Sequence, residues 1–394
     1  MAGAMSEVVF PNRYCNRQEA RTLFGDDADR YARFYLEGDP IADRLVAWIE
    51  GAGEPAKAQV ERAIAGGIGS VESPPLELRE FFERAERLPE WVDFEQIEKG
   101  ALAYQRFGIL GMFVLSAWGL INGYHSSAAV KPLAFTGQLR HNTQRRLAET
   151  ARFVSEATQV DGLRMGRPGY EISLRVSMIH GHVRRACQRD GAWQTEVWGV
   201  PMNQADMFGT LLEFSLLMMD GAQRLGFALS AEERAAVLAL WRYCGHLSGV
   251  DAWLLEHLGS EAATRRLAEL LRLVQPGPDE DSRELTQQLL NVPGENAKGQ
   301  GPPALAVAVS RIHNGLARAF NGPEIADDLG IPDDFWQYSI YPIRAAVTPF
   351  EWARRRIPGA SRLASHIGNR AVRGDLTRIL RGQEPSFAAP THIR

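Results

Sequence analysis

The chain has 394 residues, of which 45% are hydrophobic and 23% are charged. This composition is typical of a globular protein with a large core and excludes a disordered or fibrous chain. Its 44 basic and 48 acidic residues give a net charge of -4, which offers no global attraction for nucleic acid. The three cysteines, Cys15, Cys187 and Cys244, are scattered without CxxC spacing, so we predict neither a disulfide framework nor a zinc site.

Apolar residues recur at spacings of three and four along most of the chain, which predicts helices and almost no strands. The predicted helices cover residues 18–34, 41–48, 55–65, 76–87, 94–122, 137–156, 170–189, 204–225, 230–245, 261–273, 283–290 and 305–320. Residues 293–303, rich in glycine and proline, predict a flexible connector. We therefore predict an all-α fold with one multi-helix domain over residues 88–330, an N-terminal helical region over residues 1–87 and a C-terminal extension over residues 331–394.

The longest uncharged stretch is residues 107–130, which is long enough to cross a bilayer. Glycines and polar residues dilute its apolar character, and no basic cluster flanks it. We therefore predict a buried helix over residues 101–122. Residues 1–13 contain no basic segment followed by an apolar run, so we expect no secretion leader and a cytoplasmic protein.

The C-terminal region differs in charge from the rest of the chain. Residues 350–394 hold nine arginines and three acidic residues, which gives this region +6 and the remainder about -10. Two interpretations stay open: peripheral contact with an anionic membrane or partner, and a solvated surface that pairs with the acidic body.

The candidate site begins with His180, which lies in the middle of an apolar helical stripe between Val176 and Val183. His182 is two positions on and faces the other side of the helix. A buried imidazole needs a hydrogen-bonding group or a metal as its partner. Gly181 could leave room for a flat group beside the helix, and Arg184 could reach a carboxylate at the edge of that group. A satisfied core histidine and a ligand both remain open.

A second cluster lies on the preceding predicted helix, where Arg146, Glu149, Thr150 and Phe153 share one face at i, i+3, i+4 and i+7. They form either an exposed Arg146–Glu149 ion pair or the polar wall of a pocket opposite His180. No GxGxxG, Walker A, GxSxG, HExxH or paired ExxH motif is present, so dinucleotide binding, triad hydrolysis and a ferritin-type di-iron site have no support.

Several segments in a fixed order resemble one known family between residues 88 and 329. They are Leu88-Pro89-Glu90-Trp91-Val92-Asp93, Leu133-Ala134-Phe135-Thr136-Gly137, the Arg146/Thr150/Phe153 pattern, His180-Gly181-His182-Val183-Arg184, and Trp241-Arg242 followed by Gly245-His246-Leu247-Ser248-Gly249-Val250. In these segments the sequence resembles the rubber oxygenase (latex clearing protein) and mpaB-type oxygenase family.

The resemblance implies an all-α fold that encloses one b-type haem, with His180 as the axial iron ligand and O2 on the opposite face. It places Arg146 and Thr150 on the family's pocket helix and Phe153 beside the haem. Arg184 and Arg175 become candidates for binding the haem carboxylates.

Two departures from the family affect the expected chemistry. Rubber-cleaving members have a lysine just before the threonine, where this chain has Glu149, and residues 129–131 contain no carboxylate where those members have a glutamate base. We hypothesise a haem-dependent oxygenase that acts with O2 on a small apolar, unsaturated or terpenoid molecule. Glu149 would shuttle a proton, with Thr150 relaying it and Arg146 orienting the carboxylate. The alternatives are a non-catalytic haem or lipid carrier, a sensor, and a peroxide-dependent peroxygenase.

Overall fold

The computed structural model describes residues 10–136 and 138–380, without the side chains of residues 138–142. Expectations that concern residues 1–9, Gly137, Arg381 and the remaining C-terminal residues lie outside this description. The described chain is all-helical. Its N-terminal helices are α1 (Arg17–Phe24), α2 (Asp26–Arg33), α3 (Pro40–Ala52), α4 (Glu54–Gly66) and α5 (Leu76–Glu86).

The central part of the chain continues with helices of very different length. They are α6 (Phe94–Gln105), α7 (Gly108–Val114), α8 (Ile121–Tyr124), α9 (Ser127–Phe135), α10 (Gln138–Ala157), α11 (Pro168–Arg189), α12 (Thr195–Trp198), α13 (Gln204–Leu212), α14 (Met218–Arg224), α15 (Ala231–Leu247), α16 (Ala252–Glu256) and α17 (Glu261–Val274). The last helices are α18 (Glu280–Ala297), α19 (Pro303–Asp328), α20 (Ile340–Arg354) and α21 (Ala360–Ile379). Two π-helical segments, π1 (Leu115–Leu120) and π2 (Glu213–Leu217), interrupt the helices around them.

One continuous core joins the N-terminal region to the centre of the protein. Tyr31 and Phe81 in that region belong to the same buried cluster as Trp241 and Leu316. Asp39 makes a polar attachment as well: its carboxylate accepts from Ser177 of α11 at 3.2 Å. The same carboxylate caps α3 by accepting from the backbone N–H of Ile41 and Ala42 and pairs with Arg84 of α5 at 2.7 Å. The fold is therefore a single domain.

The prediction of one helix over residues 101–122 is wrong. The chain bends by 89° between α6 and the segment Gly108–Tyr124. Gly108 has φ +52°, and a Cβ there would lie 3.2 Å from the Cα of Gly368 in α21, so the bend needs both a left-handed backbone and a residue without a side chain. Among the described residues, no single helix has the length and hydropathy needed to cross a bilayer; this bent pair has them only in combination.

The predicted connector over residues 293–303 is shorter than expected. Helix α18 continues through Pro293 to Ala297, and α19 starts at Pro303. Packing explains the difference, because Gly294 lies against α19: a Cβ there would come 2.9 Å from the Ser310 side chain. Tertiary contact outweighs the local helix-breaking preference of proline and glycine here.

Helix α11 is held against α3 by one of its faces. Ser177 donates to Asp39 at 3.2 Å, Arg184 pairs with Asp43 at 2.8 Å, and Gly181 lies between them in sequence at helical spacing. Since these three residues follow each other at four and three positions, they form one stripe. The neighbouring stripe, which carries His180, is thereby turned toward the interior of the protein.

Candidate functional site

A cavity of about 560 Å³ lies beside α10 and α11, within the size range of small-molecule and cofactor sites. Its wall is mostly apolar and is built from α9, α10, α11, α13, π2 and α17. The polar or charged residues in that wall include Asn122, Tyr124, Arg146, Glu149, Thr150, His180, Asp206, Glu213, Arg265, Glu269, Arg272 and Gln275.

The predicted face of α10 lies in this wall. Arg146, Glu149, Thr150 and Phe153 all line the cavity that His180 lines. The Thr150 hydroxyl donates to the Arg146 carbonyl at 3.2 Å, as hydroxyls in helices commonly do. Phe153 is buried and packs edge-on against Trp241, with 6.2 Å between ring centroids.

The ion pair on this helix is not the expected one. Glu149 accepts from Arg145 Nε at 3.3 Å, one turn away. The Arg146 guanidinium has no hydrogen bond or ion pair within the described part of the chain. The expectation that Arg146 orients Glu149 is therefore wrong: Arg145 holds that carboxylate. Arg146 is left as a cation in the cavity wall, where it can bind an anionic or electron-rich group of a ligand.

His180 presents a neutral imidazole to the cavity. Its Nδ1 is sealed from solvent and has no hydrogen-bond partner, and the residue is part of the cavity wall. Burial lowers the pKa of His180 to about 3, with the charges of Arg184 and Arg146 acting in the same direction and that of Asp39 opposing them. An unprotonated imidazole without a protein partner is the form that binds a metal ion.

His182 lies on the other side of α11, as the helical period predicts. Its Nδ1 is 3.5 Å from Glu50 of α3, and it does not line the cavity. The two histidines of the His-Gly-His sequence therefore have different environments, and one serves as a natural control for the other.

Arg184 and Arg175 do not line the cavity. The Arg184 guanidinium is buried between helices, where it pairs with Asp43 and donates to the Met202 carbonyl at 2.8 Å. Arg175 forms a two-point pair with Glu61 at 2.7 and 2.6 Å near the surface. Spacing along α11 could not reveal these partners, because both carboxylates come from the N-terminal helices.

Gly181 has a packing role in place of the expected one. A Cβ at this position would lie 3.0 Å from Val46 Cγ2 and 3.4 Å from the Ala42 carbonyl oxygen, both on α3. The glycine permits close approach of two helices and opens no space for a flat ligand.

Sequence reasoning missed Glu213, the first residue of π2. Its side chain lines the cavity and has no hydrogen bond or ion pair within the described residues. Burial raises the pKa of Glu213 to about 8, and the charge of Asp206 adds to the effect. A signal was present, since Glu213 is the one charged residue between Met207 and Met219, and a lone acid in such a run needs a partner.

A second missed residue is Arg272 of α17. It lines the cavity without an ion pair among the described residues. Arg265 of the same helix also lines the cavity, but it is bound by Asp220 and Glu261. Arg146 and Arg272 are thus the cavity cations whose charge no described carboxylate compensates. Within the described part of the chain, no cluster of three or more His, Cys, Asp or Glu residues is arranged to bind a metal. The described cavity wall holds the imidazoles of His125 and His180. His125 Nε2 lies 3.3 Å from Asp328, so His180 is the one without a described partner.

The family model described as ER-bound oxygenase mpaB/B'/rubber oxygenase, catalytic domain, matches residues 105–352. The chain belongs to this family. The match contains the cavity walls formed by α9 to α17 and leaves α1 to α5 outside it, although those helices share the core. It also extends beyond residue 330 into α20.

A rubber oxygenase of Streptomyces sp. (strain K30) is 24% identical over 275 residues, which is 69% of this chain and 63% of that protein. The matched region thus spans less than two thirds of the relative. The solved structure of latex clearing protein in its closed state resembles this member of the family over 87% of this chain and 91% of that one, with a TM-score of 0.63 and 22% sequence identity. The likeness establishes the shared all-α fold, and the family suggests an oxygenase.

Proposed function

We propose that this protein is a haem b-dependent oxygenase that uses O2 to oxidise a small apolar molecule bound in the cavity. One observation carries the proposal: a neutral, unpartnered His180 imidazole faces a cavity whose wall is otherwise mostly apolar. Family membership gives the reaction class, and the cavity limits the substrate to a small molecule. An unsaturated or terpenoid hydrocarbon skeleton fits such a wall.

The residues present fit a haem. His180 would hold the iron, because it lines the cavity with an imidazole that has no hydrogen-bond partner among the described residues. Arg146 and Arg272 would bind the haem carboxylates, because they are the cavity cations without a described ion pair. Phe153 would pack against the ring. When bound, the haem supplies the site at which O2 is activated.

The remaining polar groups of α10 would handle protons. Glu149, held by Arg145, is the candidate for accepting or delivering a proton during oxidation, and the Thr150 hydroxyl beside it could relay that proton. The apolar residues of the wall exclude water from the reacting molecule.

The visible spectrum tests the proposal. We expect protein purified with haem to show a Soret band that His180→Ala shifts or removes and that the matched control His182→Ala leaves unchanged. The absence of a Soret band, or a Soret band that His180→Ala leaves unchanged, would contradict the haem assignment. Reversible gas binding without turnover would favour a sensor, and turnover with peroxide in the absence of O2 would favour a peroxygenase.

The C-terminal helices favour an additional role at a membrane surface. Trp352, Ile357, Leu363 and Ile367 are each more than half exposed, and they lie close in sequence to the exposed arginines Arg355, Arg362 and Arg370. No ion pair of these arginines occurs in the described chain. Exposed apolar side chains combined with positive charge suit an anionic bilayer surface.

Vesicle sedimentation tests this role. The full chain should bind phosphatidylserine-containing vesicles and bind phosphatidylcholine vesicles weakly, and the difference should shrink at high salt. Trp352→Ser with Ile367→Ser should weaken binding at unchanged charge. Equal binding to both vesicle types would contradict the proposal. Self-association of the protein through the same exposed C-terminal surface would also contradict it.

A further inference from the structure

Glu213 is a carboxyl in the cavity wall that the proposed chemistry does not use. It begins π2, which packs against π1: a Cβ on Gly119 would lie 3.3 Å from the Glu213 carbonyl oxygen. Its carboxyl lies directly against Gly123, where a Cβ would come 2.2 Å from Oε1. The absence of a side chain at Gly123 therefore leaves the space that this carboxyl occupies.

The surroundings of Glu213 offer it no compensating cation among the described residues. Asp206, the charged neighbour that acts on it, is itself bound by Arg13 through two contacts of 2.7 Å. With its pKa raised to about 8, Glu213 is mainly a carboxylic acid at neutral pH and carries one O–H donor.

A carboxylic acid that faces an otherwise apolar wall discriminates between ligands. Trp118, Phe214 and Leu217 line the same cavity and favour an apolar body. A pure hydrocarbon would displace water from the Glu213 carboxyl and give it no partner, which is unfavourable. An oxygen placed on the hydrocarbon would accept its hydrogen bond.

We propose that the cavity selects an apolar molecule carrying one hydrogen-bond acceptor oxygen, a ketone or an alcohol, which accepts a hydrogen bond from the Glu213 carboxyl. This inference rests on the proposed function in that it places the substrate in the same cavity. It narrows the substrate class from hydrocarbons in general to oxygenated, amphipathic ones. Glu213 is thus a specificity-determining residue distinct from the α10 residues.

Headspace gas chromatography with two matched volatile probes, 2-undecanone and n-undecane, tests the proposal on the haem-loaded full chain. The ratio of the affinity for the ketone to the affinity for the alkane is measured in the wild type and in Glu213→Leu. The wild-type ratio divided by the variant ratio gives a quotient in which the different water solubilities of the probes cancel. We expect a quotient of about ten. Glu213→Gln, which keeps an N–H donor, should retain most of the preference. Glu72→Gln, at an exposed residue outside the cavity, should retain all of it.

A quotient near one would overturn the proposal. If Glu213→Leu does not fold, a measurement on the folded wild type tests the proposal. It records the carbonyl stretching band of bound 2-undecanone labelled with ¹³C at the carbonyl. We expect this band below its frequency in hexane, and at the same position in Thr150→Val; a band at the hexane frequency overturns the inference. This test and the test of the haem assignment can fail independently. If the haem assignment is wrong, His180→Ala does not change the Soret band, and the affinities for the two probes can still be compared in the haem-free chain.

Discussion

Gly181→Ala separates two explanations for the glycine beside His180. If the glycine made room for a bound ring, a methyl group would disturb the haem. In the structure the new Cβ meets α3 instead, 3.0 Å from Val46 Cγ2 and 3.4 Å from the Ala42 carbonyl oxygen. We therefore expect a loss of stability with an unchanged haem spectrum.

The size of the loss follows from two opposing effects. Alanine favours a helix interior over glycine by about 1 kcal/mol, whereas overpacking a closed contact costs about 1–3 kcal/mol. The net loss should be about 1 kcal/mol. Val46→Ala removes the atom that the new methyl meets, so the double variant should be more stable than the sum of the single effects by about 1 kcal/mol.

Urea unfolding of the wild type, both single variants and the double variant measures this coupling. Gly374→Ala is the matched control: this glycine lies in α21 with no atom within 4 Å of its ideal Cβ, so alanine should add up to about 1 kcal/mol. A Soret shift in Gly181→Ala at unchanged stability, or zero coupling with Val46→Ala, would refute the reasoning.

Three further predictions concern other groups. Glu149→Gln should lower O2 consumption with an apolar substrate by about 10²-fold or more at an unchanged Soret band, and a wild-type rate would remove Glu149 from proton transfer. Asp43→Asn leaves the buried Arg184 guanidinium without its carboxylate and should lower the free energy of unfolding by about 3 kcal/mol. Arg175→Gln removes a more exposed ion pair and should lower it by less than about 1 kcal/mol. Equal losses in the two variants would contradict this prediction. Burial lowers the pKa of His313 from 6.5 to about 4, so as the pH falls the unfolded chain binds a proton before the folded chain does. The free energy of unfolding should therefore fall by up to about 3 kcal/mol between pH 6.5 and pH 4. In urea unfolding, His313→Gln should show a weaker pH dependence of stability over this range, and a pH dependence identical to that of the wild type would contradict the prediction.

The sequence predicts the helical class and the faces of single helices well. The three- and four-residue spacing that groups Arg146, Glu149, Thr150 and Phe153 depends only on local geometry, and the structure places all four in one wall. The same local rule separates His180 from His182. Helix ends were predicted less well, because the break at Gly108 and the continuation through Pro293 depend on contacts with α21 and α19.

Partners of charged residues could not be predicted from spacing along one helix. Arg184 lies one turn after His180, yet its carboxylate comes from α3, more than a hundred residues earlier. Glu149 has three arginines within one turn on its own helix, Arg145, Arg146 and Arg152, and the structure pairs it with Arg145. The role of Glu213 could not be predicted in this way, because an acidic residue inside a predicted helix is usually exposed to solvent. The three-dimensional structure shows that the Glu213 side chain lines the cavity.

The cavity holds several groups without a described protein partner, among them the His180 imidazole, the Arg146 guanidinium and the Glu213 carboxyl. Each loses hydration without gaining a described protein partner, which is unfavourable for the folded chain. Outside the cavity, the carboxylate of Asp39 is instead paired with Arg84 at 2.7 Å. Because the unsatisfied groups share one cavity, a ligand that coordinates through an imidazole, carries negative charge and presents an acceptor oxygen would satisfy all three. One molecule rarely has all these properties, so the arrangement favours two occupants, a haem at His180 and Arg146 and an oxygenated apolar substrate at Glu213.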